Sequence, residues 1–169
     1  MTDGRPESLA ALLRHFADLR DGTHGDAGPR ADKERLFTAA VGLLDPYARQ
    51  VLHEMNAHLL LDTGEVTATG VRRDGDGIDA VWTLSWPEQR AAGVDPITVR
   101  AWFGAGFHHP HLRGATVGDW PLNVFTPDQA AGEVPTLRAI VAADLHNLVF
   151  QRDYRIVPAT TNGGPAGPA

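Results

Sequence analysis

Leu9, Leu12, Leu13, Phe16 and Leu19 recur three and four residues apart, which predicts a helix over residues 6–20. Pro6 and Glu7 suit its first turn, because proline is pre-set for that position and an acid complements the helix dipole. The segment DGTHGDAGPRA (21–31) breaks the period and reads as a loop. Helical spacing resumes at Leu36, Phe37, Ala40, Val41 and Leu44, behind Asp32 as the expected cap. Pro46 predicts an interruption, since proline removes an amide donor and crowds the preceding turn. A third helix is expected from Pro46 to about Leu61, with Tyr47, Val51, Met55 and Leu59 on one face.

Beyond Asp62-Thr63-Gly64 the period changes to two. EVTATGVRR (65–73) reads as one strand and DGDG (74–77) as a hairpin turn. Ile78, Ala80, Trp82, Leu84 and Trp86 then alternate with Asp79, Val81, Thr83 and Ser85, so one face of this strand addresses a core. Pro87 ends it. Ile97, Val99, Ala101 and Phe103 mark the next strand, and WPLNVF (120–125) reads as a short extended piece. Helical spacing returns over 128–150 with Val134, Leu137, Val141, Leu145 and Leu148. The predicted class is α+β: N-terminal helices, an antiparallel meander, a His-Pro loop and a long C-terminal helix. A single domain over 1–158 is expected, followed by a low-complexity, disordered tail over 159–169.

Composition narrows the chemistry more than the fold. The chain has 169 residues and a net charge of −6, which argues against a nucleic-acid partner. It contains no cysteine, so disulfides, zinc–thiolate sites and cysteine nucleophiles are excluded. Ser8 and Ser85 are its only serines, and neither lies in a nucleophile elbow. Lys33 is the only lysine, placed on a helix among charged neighbours, so covalent catalysis has few candidates. The N-terminus lacks a cationic start followed by an apolar core, and no apolar run approaches the length of a membrane span. The expected location is the cytoplasm, with no membrane partner.

The segment FGAGFHHPHLRG (103–114) carries the most suggestive chemistry. His108, His109 and His111 are candidate ligands for a divalent metal, with Asp119 as an acidic donor and His58, Asp144 or His146 as further options. The competing reading is a turn in which imidazoles bond backbone groups. A cupin-type site fails, because residues 113–116 hold no glutamate. A zincin helix fails too: His53 and His58 are five apart, and His58 is expected to be buried on the arc of Val51 and Met55. Ile78 stands where a calcium loop needs an oxygen ligand. Asp144 falls in the middle of the last helix's apolar stripe, so it needs an inward partner. An imidazole of the histidine run or Arg113 would serve, which makes His109, His111 and Asp144 candidates for acid–base catalysis. Trp82, Trp86 and Trp102 offer a weaker case for small-ligand binding.

Residues 82–150, taken in order, resemble the central part of the ubiquitin-conjugating-enzyme fold, including its RWD-like relatives. Trp86-Pro87 resembles the end of that family's third strand, Pro96 its crossover and TVRAWF its fourth strand. His109-Pro110-His111 stands at its His-Pro-Asn turn, Gly114 at a loop glycine and Trp120-Pro121 at its tryptophan. Residues 133–150 stand at its following helix. The family's thioester cysteine is missing, the nearest positions being Thr116–Asp119, and its asparagine is His111 here. The resemblance therefore implies a non-catalytic domain that binds a protein partner, with Pro110, Gly114, Trp120 and Pro121 shaping the turn. The alternative expectation is a metal-dependent or acid–base enzyme with its site at 108–111.

Overall fold

A computed structural model describes residues 4–162 of the chain. Helix α1 spans Glu7–Asp21 and α2 spans Arg30–Leu59. Strands β1 (Glu65–Ala68), β2 (Arg72–Asp74) and β3 (Gly77–Ser85) follow, then the short α3 (Pro87–Ala91) and β4 (Ile97–Phe103). After the histidine run come β5 (His111–Arg113), β6 (Trp120–Pro121), α4 (Pro127–Gly132), α5 (Val134–Gln151), a 3-10 turn (Tyr154–Ile156) and α6 (Pro158–Asn162). The class is α+β, with helices first, an antiparallel sheet and a long helix after it.

Two of the three expected N-terminal helices are one. The buried stripe of Phe37, Ala40, Val41, Leu44, Ala48, Val51, Leu52 and Met55 runs through Pro46 without losing phase. Pro46 and Gly42, whose carbonyl Pro46 deprives of a donor, both lie on the exposed side, where that oxygen is open to solvent. Packing of both halves on one core overrides the local break. The same helix begins at Arg30 after Pro29, so Asp32 sits in its first turn rather than capping it. His58, expected inside, is exposed; Asn56 takes the inward place and ties the helix end to both the amide and the carbonyl of Gly64.

The sheet runs β1-β3-β4-β5-β6, all antiparallel, with β2 also pairing β3. The single strand expected over 65–73 is divided at Gly70, which takes a positive φ of 67°, so β1 and β2 oppose successive halves of β3. One sheet face carries Ile78, Ala80, Trp82, Leu84, Ile97, Val99, Ala101 and Phe103 into a core covered by α2 and α5. Trp82 and Trp86 lie within this core, their indole N–H groups donating to Asp45 Oδ1 at 2.9 Å and the Ile156 carbonyl at 2.6 Å. Their faces are thus taken up by packing rather than offered to a ligand. On the opposite face Asp79 is 1 % exposed and accepts from Arg72 and Arg100, each at 2.8 Å. Trp102 lies half-buried there beneath Arg100 and Arg113.

At the C-terminal end, residues Pro158–Asn162 form a helix, and Ala159 packs on the core, where the tail was expected to begin. Residues 163–169 of that expected tail lie outside the described residues. No helix among the described residues is long and apolar enough to cross a membrane.

Helix α1 contradicts its own pattern. Leu9, Leu13, Phe16 and Leu19 are 49–63 % exposed, whereas Ala11 and Asp18 are buried and Arg14 and His15 half-buried. The face that packs against α4 and β6 is the polar one. Arg14 donates to the side chain of Asn123 at 2.8 Å and to its carbonyl at 3.0 Å. These polar contacts bring two further ionisable residues, His15 and Asp18, to the histidine run.

Candidate functional site: a buried histidine–aspartate cluster

Five side chains from three segments converge at the edge of the sheet. His15 and Asp18 lie three apart on α1, and so share its inward face. His24 comes from the loop between α1 and α2. That loop turns at Gly25, with φ +60°, where a Cβ would stand 3.0 Å from the Phe125 ring. His24 and Ala27 exchange backbone hydrogen bonds of 2.9 and 3.0 Å, which hold the loop as a tight bridge. His109 comes from the bend before Pro110 and His111 from the first residue of β5; both rings face His15, whereas His108 is exposed. Their ring centroids lie 4.5 Å and 5.7 Å from that of His15, and the His24–His109 distance is 6.2 Å.

Asp18, His24 and His109 are all buried, and each offers a ligand atom within 4.8 Å of the other two. Asp18 is held in place from several sides. Its Oδ2 accepts from Asn123 Nδ2 at 2.9 Å and from the Gly25 amide at 3.2 Å, and lies 3.6 Å from His24 Nδ1. Asn123 is in turn fixed by Arg14. An imidazole needs partners for an N–H and a lone pair, and burial without them costs about 1–3 kcal/mol per group. Yet both ring nitrogens of His109, and Nδ1 of His15, His24 and His111, are buried with no hydrogen-bond partner among the described residues.

Burial also sets the protonation state. His24 is held at about 4, chiefly by desolvation, which outweighs the attraction of Asp18. His109 is likewise at about 4, by desolvation and then by repulsion from His15, His24 and Lys33. His15 and His111 are lowered for the same leading reason. At neutral pH the cluster therefore presents neutral imidazoles with free lone pairs, the form that binds metal.

Two imidazoles and a carboxylate suit a first-row divalent ion such as zinc or iron(II), with His15 and His111 as further donors at the rim. Ligands of a tetrahedral zinc stand about 3.4 Å apart. Closing the present spacing requires only that the three donors draw in by about 1 Å.

Of the residues singled out from the sequence, His109 and His111 belong to this cluster. His108 is exposed and contributes its carbonyl to Lys33 Nζ at 3.4 Å. Asp119 is exposed and pairs with Arg113 at 2.9 Å. Asp144 is inward, as its helical phase requires, but its partners are the amides of Ala115 (2.9 Å) and Thr116 (2.7 Å), not an imidazole or Arg113. It anchors the loop after β5. Gly114 permits that approach, since a Cβ there would stand 2.6 Å from Asp144 Oδ2. The turn itself is closed by the Pro110 carbonyl accepting from Leu122 N at 3.2 Å, while Trp120 and Pro121 pair with Leu112 and His111. His146 is exposed and stacks on Phe150. His15, Asp18 and His24 were missed. The signal for the first two was a His-x-x-Asp spacing on the face of α1 opposite its leucines.

Comparison of the chain with protein-family models, curated proteins and solved structures returned no match.

Proposed function

We propose that this chain is a metal-binding protein whose centre is Asp18, His24 and His109, with His15 and His111 completing its surroundings. The observation that carries the reading is His109: 5 % exposed, neutral at physiological pH, with neither ring nitrogen partnered, and facing a fixed buried carboxylate. A divalent ion satisfies these groups together, and it draws α1 onto the sheet edge through the helix's polar face. Such an ion would supply Lewis acidity and a bound water acidified toward neutrality. The chain's own contribution is to keep the ligands neutral and the carboxylate oriented. The test is metal analysis of protein purified without a histidine tag, loaded with zinc and dialysed. One equivalent is expected in the wild type and in His108→Ala, and far below one in His24→Ala and His109→Ala. A wild type that retains no stoichiometric metal refutes the reading.

A second reading, a non-catalytic module that binds another protein, is favoured by a separate observation. The apolar stripe of α1 faces solvent, with Leu9, Leu13, Phe16 and Leu19 forming one continuous ridge. The resemblance of residues 82–150 to ubiquitin-conjugating-like domains points the same way, since the chain has no cysteine for thioester chemistry. A photo-crosslinker installed at Leu13 in cells checks this. Capture of one defined protein, lost on Phe16→Ser, is expected; the absence of any crosslink refutes it.

A further inference from the structure

The charges around the cluster do not balance once a divalent ion is present. The charged side chains nearest His24 and His109 are Asp18 and Lys33, and an imidazole that ligates a metal does so as the neutral ring. One carboxylate, one ammonium and a divalent cation leave a net charge of about +2 in a buried site, which is costly without a counter-anion. Lys33 sharpens the imbalance. It is only 8 % exposed, yet among the described residues its ammonium makes one hydrogen bond, to the His108 carbonyl at 3.4 Å. An ammonium carries three donors, so two remain unspent. Its basic neighbour Arg30 is committed to Glu34 and to the carbonyls of Phe103, Gly104 and Phe107.

A cavity of about 170 Å³ joins these groups, lined by Leu19, Gly22, Lys33, His108 and His109. It touches a metal-ligand candidate, His109, and the under-used ammonium at once. Its volume corresponds to about six waters, room for a carboxylate or a phosphoryl group. Leu19 gives it an apolar wall.

We propose that this cavity binds a small oxyanion, a carboxylate or phosphoryl group, with one oxygen directed at the metal and another accepting from Lys33 Nζ. The inference rests on the metal-centre reading and names the ligand class that centre takes. Lys33 is the specificity-determining group: it selects for negative charge.

The test uses the full chain loaded with cobalt(II), whose visible absorption reports its ligands, titrated with acetate and with methylphosphonate. A saturable spectral change is expected for both anions in the wild type. Affinity should fall at least tenfold in Lys33→Met and Lys33→Gln, each verified as folded by circular dichroism and by an unchanged cobalt stoichiometry. Lys33→Arg should retain most of the binding. Cobalt uptake without any response to either anion overturns the inference and leaves the metal centre standing, as does equal affinity in wild type and both charge-removing variants. Failure to take up cobalt overturns both.

Discussion

Glu133 caps the start of α5 at 1 % exposure, and neither of its oxygens has a partner in hydrogen-bonding geometry. Burial raises it from 4.5 to about 7; Glu7 adds to the rise, while Thr136 and Arg14 offset part of it. The acid is therefore protonated in the folded protein at pH values where the unfolded chain has released its proton. Its effect on stability has a definite sign. At low pH both states are protonated and nothing is lost; as pH climbs from about 4.5 through 7 the unfolded state is progressively favoured. The full difference corresponds to about 3 kcal/mol, and about 2.5 kcal/mol of it falls between pH 5 and pH 8. Glu133→Gln removes the titration while keeping shape. Relative to wild type, the variant should gain about 2.5 kcal/mol on going from pH 5 to pH 8, or about 5–10 °C in melting temperature for a chain of this size. The assay is urea unfolding of both proteins across that range, with a chelator present. The lowered histidines, whose stability contribution is lost as pH falls from 6.5 toward 4, titrate alike in both proteins and drop out of the difference. A wild-type-to-variant gap that stays constant from pH 5 to pH 8 refutes the reasoning, because the carboxyl would then ionise as readily folded as unfolded.

Zinc at a free concentration one hundred times its dissociation constant should stabilise the wild type by about 2.7 kcal/mol, read as a rise of about 5–10 °C in a thermal melt that His109→Ala abolishes. Asp144→Ala removes the acceptor for the amides of Ala115 and Thr116; because both residues are exposed and their amides can rehydrate, the loss should be about 1–3 kcal/mol in chemical unfolding, with hydrogen exchange accelerated at both. Asp79→Ala leaves Arg72 and Arg100 without their shared carboxylate; because Arg72 is half-exposed and can rehydrate, the loss should be about 2–3 kcal/mol by the same measurement.

The period-two run through Ile78–Trp86 and the helical stripe of Leu137, Val141 and Leu145 were legible because each element buries one continuous face, and side-chain spacing reports that face directly. The same logic misjudged Pro46, since a periodicity rule weighs a local hydrogen bond that packing on both sides of it outweighs. It also misjudged α1, whose leucines mark a helix without marking its inner side. Of the candidate site, His109 and His111 stood out because they belong to a run of three histidines within four positions around Pro110. His15, Asp18 and His24 reach them only because Arg14, Asn123 and the Gly25 turn dock α1 by its polar face. By itself the sequence determined the main helices and strands, the α+β class, the exclusion of thiol chemistry and the inward phase of Asp144. Only the tertiary structure decided which polar side chains share a buried space, and hence which imidazoles are held neutral. Burial and protonation depend on neighbours about ninety residues away, and no local spacing encodes them.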